Sequence, residues 1–344
     1  MRCLLFALWV ALTLLLCLAQ GIASDLAAPY VSYSRSLIAR AQSGSPRDQF
    51  LLAHAYATGS GIPRDPAQAL YWYRQAANHG DDGAINELGR IYAEGDGIAR
   101  DYQQALLWFR RAASDGWVAA QSNLGIMYFR GLGTAADPAA AVNWWKKAAK
   151  GGSLRAESNL GFAYLMGAGT GEPDPAQAAK LFRRAANRGL AEAQFNLGYC
   201  FEKGRGVHAN LNNAVEWYSK SATQGYVAAQ ANLGLLYLKG QGVQQNFSEA
   251  LRLLSLAANS GNSKAFLGLA HMYHNSWGVE HNDAIAYSWL QLAKERGEPE
   301  ADAIQIPSEA LTQSQISEAY FLAENWKSSH PGATATRAEP FASR

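Results

Sequence analysis

The sequence predicts an all-α protein built from about seven tandem helix pairs. A Gly-x-Gly motif recurs at steps of 36 residues, with one step of 37, and an aromatic residue stands three positions before each motif. An apolar stripe with helical spacing follows each motif. The motifs begin at Gly59, Gly95, Gly131, Gly167, Gly204, Gly240 and, in degenerate form, Ser276. This regularity indicates seven copies of one unit between residues 48 and 297.

The composition narrows the class of protein. The chain has 344 residues, of which 49% are hydrophobic and 17% charged, and its formal net charge is +2. These values exclude a disordered chain, a collagen-like fibre and a multi-span membrane protein. The near-zero charge supplies no electrostatic attraction for nucleic acid or for an anionic membrane surface, so we expect neither as a partner.

Residues 1–24 have the pattern of an export signal. Arg2 is followed by an uncharged run from Cys3 to Ala19, and small residues follow before position 25. The pattern predicts a periplasmic or secreted protein. An uncleaved anchor is the alternative, and it would be the only membrane contact that we expect. A lipoprotein site is disfavoured because Leu16, directly before Cys17, is larger than the residue that such a site needs.

The two flanks of the repeats are predicted to be caps. Segment 29–47 is amphipathic, with Leu37 and Ile38 on its apolar side, and would cover the first repeat as a lone helix. Residues 298–328 contain an apolar run from Leu311 to Trp326, which predicts a closing helix. Residues 329–344 are rich in Ser, Pro, Ala and Thr without periodicity, so we expect a disordered tail.

The first helix of each repeat carries Leu-Gly followed by an aromatic residue. A mid-helix glycine costs about 1 kcal/mol relative to alanine, so its recurrence, as at Gly89 and Gly161, indicates close approach of the paired helix. An Asn precedes this Leu in four repeats. We interpret it as a bridge to the backbone of a neighbouring repeat, with a ligand-binding ladder as the alternative. These residues are Asn123, Asn159, Asn196 and Asn232.

The second helix of each repeat is amphipathic and has marked ends. In the second repeat Ala105, Trp108 and Phe109 belong to one apolar stripe. An Asp or Asn before the stripe predicts an N-cap, and a glycine after the last turn predicts a left-handed helix end. The predicted caps are Asp65, Asp101, Asp137, Asp174, Asn210, Asn246 and Asn282. We therefore interpret these residues as caps and not as catalytic groups.

Together these motifs resemble the Sel1-like repeat, a relative of the tetratricopeptide repeat. The third copy shows the pattern in Ala119, Leu124, Gly125, Tyr128, Gly131, Gly133, Asp137, Ala141, Trp144, Trp145, Ala148, Ala149 and Gly152. The resemblance covers about 250 of the 344 residues. It implies a right-handed α-solenoid whose first helices line a concave face, and a role in protein recognition. Leu181 and Leu253 depart from the pattern, since the family has Trp there.

Apolar side chains occupy first-helix positions that would face solvent on such a concave surface. Solvent-facing positions that meet only water are usually polar, so an apolar patch with a polar rim predicts a groove for a peptide or helix of a protein partner. The alternative is that these side chains only pack between adjacent repeats. The predicted partner-binding residues are Phe129, Arg130, Phe162, Leu165, Met166, Phe195, Tyr199, Lys203, Leu235 and Leu238.

No motif predicts catalytic residues, a cofactor or a resident metal. The Gly-x-Gly motifs precede capped helices without a strand, so their context is not that of a nucleotide loop. His271 and His274 have the spacing of a metal-binding pair, with His281 nearby, but we favour surface or interface roles for them. Once the signal is removed, Cys200 is the one remaining cysteine, and we interpret it as a buried structural residue.

Two other functions compete with protein binding. Certain secreted relatives of the Sel1-like type bind or hydrolyse β-lactams, but they carry a cysteine pair within each repeat, and this chain does not. Exposed aromatic residues would also suit glycan or peptidoglycan binding. We favour a non-enzymatic scaffold for protein interaction over both alternatives.

Overall fold

The computed structural model describes residues 35–303 and 311–334, and all regular elements within these ranges are helical. The predicted signal segment, and residues 335–344 of the predicted tail, lie outside the described residues. In the described ranges, no helix combines the length and the apolar character that a bilayer crossing requires.

The helices follow one another in pairs, which confirms the predicted all-α class. We call the two members of a pair the A helix and the B helix. The A helices are α2 (Pro46–Thr58), α4 (Asp82–Glu94), α6 (Val118–Arg130), α8 (Leu154–Met166), α10 (Ala191–Lys203), α12 (Val227–Lys239) and α14 (Ser263–His274). The B helices are α3 (Pro66–Asn78), α5 (Tyr102–Ser114), α7 (Pro138–Lys150), α9 (Pro175–Asn187), α11 (Leu211–Thr223), α13 (Phe247–Asn259) and α15 (Asp283–Glu295).

Short elements flank the pairs. Helix α1, at residues 35–42, precedes them, and a 3-10 turn at Pro299–Ala303 follows α15. Helices α16 (Gln313–Ser329) and α17 (Pro331–Thr334) end the described chain. Within the predicted tail, residues 331–334 form a helical turn after His330, whose ring stacks on Trp326 with centroids 4.8 Å apart.

The chain divides into two compact units, and the boundary falls inside α7, between Trp144 and Trp145. In the first unit, α2 pairs with α3 and α4 with α5, and each of these B helices also contacts the next A helix. The second unit repeats this order from α8/α9 to α14/α15. Within each unit, helix pairs therefore pack in series, as expected for a solenoid-type repeat.

The helix ends confirm the predicted caps. Asp65 Oδ1 accepts from the backbone N–H groups of Ala67 and Gln68, both at 3.0 Å, and equivalent bonds form at the other six predicted caps. The caps satisfy N–H groups that have no partner within the helix. These Asp and Asn side chains therefore have a structural role as helix caps.

Close helix packing explains the mid-helix glycines. A Cβ built on Gly161 would lie 2.8 Å from Cε1 of Phe182, and one on Gly198 would lie 2.7 Å from Cδ1 of Tyr218. The second glycine of the Gly-x-Gly motif has a different role. A Cβ on Gly206 would lie 1.9 Å from the carbonyl oxygen of Pro175, at the start of the preceding B helix. The loop of one repeat thus lies directly on the backbone of the repeat before it.

A glutamine ladder also joins successive helix pairs. The fourth residue of four A helices is a Gln whose Nε2 donates to the carbonyl oxygen of the alanine eight positions earlier. These bonds are Gln49 to Ala41 (3.1 Å), Gln121 to Ala113 (3.3 Å), Gln194 to Ala186 (3.2 Å) and Gln230 to Ala222 (3.5 Å). In α8 the equivalent residue is Glu157, which is 1% exposed and accepts a hydrogen bond from Arg184 through Oε1. Its Oε2 atom is buried without a partner.

The ends of the described chain are packed, not frayed. Leu37 and Ala41 of α1 are buried against Leu52 of the first repeat. At the other end, Ala323 of α16 is buried in the core formed with α14 and α15, and Trp326 packs against the same core. Each terminal repeat therefore has a helix covering its apolar side.

Candidate functional site

Polar side chains of the A helices bond between successive repeats. Asn123 donates from Nδ2 to Oδ1 of Asn86 at 3.3 Å, and Asn196 donates from Nδ2 to Oγ of Ser158 at 3.4 Å. Both bonds join neighbouring repeats, as predicted, but they end on side chains and not on the backbone. In both cases the acceptor is a side chain of the preceding repeat. It lies one position before the residue of that repeat that is equivalent to the donor Asn.

This ladder changes at Phe195, which occupies the acceptor position of the fifth repeat. An aromatic ring cannot accept as Ser158 does, so Asn232 bonds elsewhere and donates from Nδ2 to the Tyr218 hydroxyl at 3.2 Å. That hydroxyl donates to Oε2 of Glu202 at 2.7 Å, and Oε1 of Glu202 lies 2.7 Å from Nζ of Lys203. The result is a polar network that runs from between two helix pairs to the surface of α10.

A cleft opens beside this network on the A-helix side of the second unit. It has a volume of about 460 Å³ and is bounded by α10, α12, α14 and the Pro299–Ala303 turn. Tyr199, Leu235 and His271 all line it. These three residues are separated by steps of 36, so they occupy the same position in three consecutive repeats. The cleft is therefore lined by equivalent side chains of successive A helices.

The floor of the cleft is largely aliphatic. Leu235, Leu236 and Leu267 line it, and Gly268 stands where the preceding repeats have the ladder Asn. A Cβ on Gly268 would lie 2.9 Å from Cδ1 of Leu254 and 3.1 Å from Cδ2 of Leu235, so the glycine lets these side chains pack directly against the backbone of α14. One wall is aromatic, because Trp277 stacks against His271 with ring centroids 6.2 Å apart.

Charged groups surround this floor and shift one another's ionisation. The hydrogen bond to Glu202 raises the pKa of Lys203. Burial raises the pKa of Tyr218, and the neighbouring Glu202 carboxylate raises it further, so the hydroxyl stays protonated as a donor. Burial lowers the pKa of His271, and the Lys239 ammonium lowers it further. His271 therefore faces the cleft as a neutral imidazole near pH 7.

The cleft contains only part of the predicted partner-binding set. Tyr199, Lys203 and Leu235 line it, and the ammonium of Lys203 is exposed. Leu238 also borders the cleft, but it is 3% exposed and belongs to the core of α12 to α15. Leu238 therefore does not face solvent as expected, and its role as a partner contact stays a prediction. It lies on the same face of α12 as Leu235, one turn later, and its side chain packs into this core.

The other predicted contacts in the second unit lie away from this cleft. Phe162 and Met166 are exposed on α8, by 45% and 59% respectively. Leu165 is half-buried against the core of α9 and α10. Phe195 is half-buried, and its ring packs on Tyr218 and Tyr226 with centroid distances of 5.5 and 5.3 Å. Packing within and between repeats thus accounts for the partial burial of Phe195 and Leu165.

The remaining two predicted contacts are in the first unit. Phe129 is half-buried and Arg130 is exposed, both at the end of α6. They belong to a compact unit that contains none of the cleft residues.

The histidines do not act as one group. His274 Nδ1 lies 2.7 Å from Oδ1 of Asp283, and His281 Nε2 lies 3.2 Å from Oδ2 of the same carboxylate. His271 instead faces the cleft. Among the described residues, no group of three or more His, Cys, Asp or Glu side chains is arranged to hold a metal ion. Cys200 is buried, as predicted, and burial raises the pKa of its thiol to about 11.

Sequence reasoning missed part of the cleft lining. Lys264, Leu267, Trp277, Glu298 and Glu300 were not predicted as contacts. The 36-residue register was the available signal for Leu267, which stands two repeats after Phe195. Glu298 is the last residue of the last repeat and Glu300 lies beyond it, so the apolar pattern of the A helices does not indicate that they lie beside the cleft.

These features define a helical repeat protein with an open cleft on the side of its A helices. Seven successive segments match the Sel1 repeat model, at residues 46–81, 83–117, 118–153, 154–190, 191–226, 227–262 and 263–298. The chain therefore belongs to the Sel1 repeat family. The resemblance noted from its motifs is confirmed.

Solved structures of Sel1 repeat proteins support the same assignment. A Sel1 repeat protein from Oxalobacter formigenes is 31% identical, with a TM-score of 0.61, and the match covers 78% of each chain. A protective antigen of uropathogenic Escherichia coli with an SLR fold is 26% identical, with a TM-score of 0.56, over 92% of this chain and 79% of that one. Comparison with curated proteins returns no match.

Proposed function

We propose that this protein is a non-enzymatic interaction scaffold that holds a segment of a partner protein in the cleft of its second unit. One observation carries the proposal: an open cleft of about 460 Å³ with an aliphatic floor, an aromatic wall and a charged rim. This combination suits a peptide, because the floor gains from burying an apolar side chain while the rim bonds to polar groups. Membership of the Sel1 repeat family, whose members commonly serve protein interaction, supports it.

The chemistry of the surrounding groups also favours binding over catalysis. The Cys200 thiol is buried and its raised pKa keeps it protonated at neutral pH, whereas a nucleophilic cysteine needs the thiolate. Tyr218 and Glu202 bond to each other, and Glu298 accepts from Ser263 Oγ at 2.6 Å. These groups hold the walls of the cleft in place.

Site-specific photocrosslinking tests the proposal. A photoreactive amino acid replaces Lys239, which is exposed inside the cleft, and in a matched control it replaces Leu256, which is 42% exposed on α13 of the same unit. We expect a discrete protein adduct at position 239 that is absent at 256 and is lost when Leu235→Asp is added to the probe. Equal adducts at both positions, or an adduct that survives Leu235→Asp, would contradict the proposal. Circular dichroism must show that the Leu235→Asp variant retains its helices.

We propose in addition that residues 1–24 direct export, so that the scaffold works in the periplasm or outside the cell. The uncharged run of this segment supports the proposal. Cell fractionation with N-terminal sequencing of the mature chain tests it. Recovery of a chain that begins near residue 24 outside the cytoplasm is the expected result, and a cytoplasmic chain that begins at Met1 would refute export.

A further inference from the structure

In the cleft of the proposed scaffold, the hydrogen-bonding groups without a partner among the described residues are mainly donors. Both carboxylate oxygens of Glu202 are engaged, one by the Tyr218 hydroxyl and the other by Lys203. Glu298 accepts the short bond from Ser263. Most of the acidic capacity beside the cleft is therefore satisfied within the protein.

The two other lysines of the cleft, unlike these carboxylates, have no hydrogen-bonding partner among the described residues. Lys239 and Lys264 are exposed, and neither forms a hydrogen bond or an ion pair within residues 35–303 and 311–334. Each ammonium group carries three N–H donors and no acceptor. The cleft therefore presents free cationic donors, and the ligand that suits them is an anionic acceptor.

Two further titratable groups face these lysines. Glu300, on the turn that follows α15, is exposed and lies close enough to Lys203 and His271 to act electrostatically on both. His271 lies within the same influence of Lys239. Glu298 is bonded to a neutral hydroxyl and not to a cation, so both Glu298 and Glu300 would oppose an anionic ligand; Glu300 is the more exposed of the two and the better control.

The position of the lysines sets the length of the occupant. Lys264 is in the first turn of α14, and Lys239 is the last residue of α12. Successive A helices run in the same direction, so the equivalent of Lys264 in α12 is residue 228, eleven residues before Lys239. At about 1.5 Å per helical residue, the two lysines are separated by about 16 Å along the helix axes. This span corresponds to about five residues of extended chain, with Leu235 and Leu267 between the lysines.

We infer that the cleft recognises an extended peptide segment of a partner protein in which an apolar residue is flanked on both sides by acidic residues. The apolar side chain lies on Leu235 and Leu267, and the flanking carboxylates bond to Lys239 and Lys264. This inference rests on the proposed function, because it names the chemistry of the segment that the scaffold holds.

Random-sequence peptides displayed on phage are the probe, selected on the purified full chain. We expect selection of sequences with acidic residues on both sides of an apolar one, within about five positions. The double variant Lys239→Gln/Lys264→Gln should weaken the binding of a selected peptide by about tenfold or more, as expected when charge-assisted bonds are lost. Both lysines are exposed, so the variant should melt at the same temperature as the wild type.

Two single variants complete the test. Lys180→Gln removes an exposed lysine of α9 outside the cleft and should leave affinity unchanged. Glu300→Gln removes one opposing acid and should strengthen binding about two- to threefold, an effect that added salt reduces. A loss of affinity in the Lys180→Gln variant equal to that of the double variant would overturn the inference.

The outcome for the inference is separable from that for the proposed function. Selected peptides that are basic or purely apolar, and that still lose binding in Leu235→Asp, would overturn the acidic segment and leave the scaffold standing. Selection of no peptide that depends on Leu235 or the two lysines would overturn both.

Discussion

The buried carboxylate of Glu157 gives the sharpest stability prediction. At this position of four other A helices, a glutamine amide donates to an alanine carbonyl eight residues earlier. Glu157 has no amide N–H to donate, and its Oε2 atom is buried without a partner. We predict that Glu157→Gln stabilises the second unit, because the new amide can donate to the carbonyl of Ala149.

The magnitude follows from three contributions. A new intramolecular hydrogen bond contributes about 0.5–1.5 kcal/mol, and removing a buried polar atom without a partner contributes about 1 kcal/mol or more. Against these, the bond from Arg184 becomes a bond to a neutral oxygen; because the Arg184 side chain is 56% exposed, this costs about 0–1 kcal/mol. The net expectation is about 1–2 kcal/mol, or roughly 2–8 °C in melting temperature for a unit of this size.

Thermal and urea unfolding of the two proteins measure this change. Glu216→Gln is the matched control, since Glu216 is exposed and pairs with Lys220; it should change stability by less than about 0.5 kcal/mol. The Arg184→Ala substitution should cost more in the wild type than in the Glu157→Gln background, because only the wild type leaves a buried charge without its cation. A lower midpoint for Glu157→Gln than for the wild type would refute the reasoning.

Three further predictions concern local packing and pH. Gly161→Ala should lower the free energy of unfolding by about 1–2 kcal/mol, and with it the melting temperature, because the added Cβ meets the Phe182 ring. Phe162→Ser next to it should change stability little, and equal losses in the two variants would refute this assignment of faces. Ser276 has a φ of 58°, so Ser276→Gly should stabilise by about 1 kcal/mol in urea unfolding, and a loss would contradict it. His271 has a lowered pKa, so the unfolded chain binds more protons below about pH 6.5, and stability falls as pH falls through that value. The His271→Gln variant should lose less stability between pH 7 and pH 5; an unchanged profile would contradict this.

The sequence predicted those features that depend on a few neighbouring residues. A cap such as Asp65 acts on N–H groups two and three positions later, so its local pattern is sufficient. The recurring mid-helix glycines predicted close helix packing, because a glycine lowers helix stability relative to alanine and would recur only where packing requires it. Repetition then extended each local inference to seven copies.

Features that depend on side-chain direction between repeats were harder to predict. Leu235 and Leu238 are three residues apart on α12, yet one lines the cleft floor and the other is in the core. The asparagines bridge to a neighbouring repeat as expected, but their acceptor is a side chain, Asn86 or Ser158, which the local pattern around each Asn does not specify. Glu300 lies beyond the repeats altogether, so its place beside the cleft follows from the fold of the Pro299–Ala303 turn.

The loops that carry the Gly-x-Gly motif contact the start of the preceding B helix. This contact restricts how such a chain can change in length. Gly206 lies on the backbone of Pro175, and a Cβ on Gly242 would lie 2.6 Å from the backbone carbonyl of Leu211. Loss of residues 191–226 would bring Gly242 onto Pro175 and rebuild the same junction, whereas loss of half a repeat would leave the loop over the wrong helix end. Deletions that remove helices from this architecture are therefore confined to whole repeats. Duplication or loss of one repeat lengthens or shortens the row of A helices by one helix and leaves the remaining junctions unchanged.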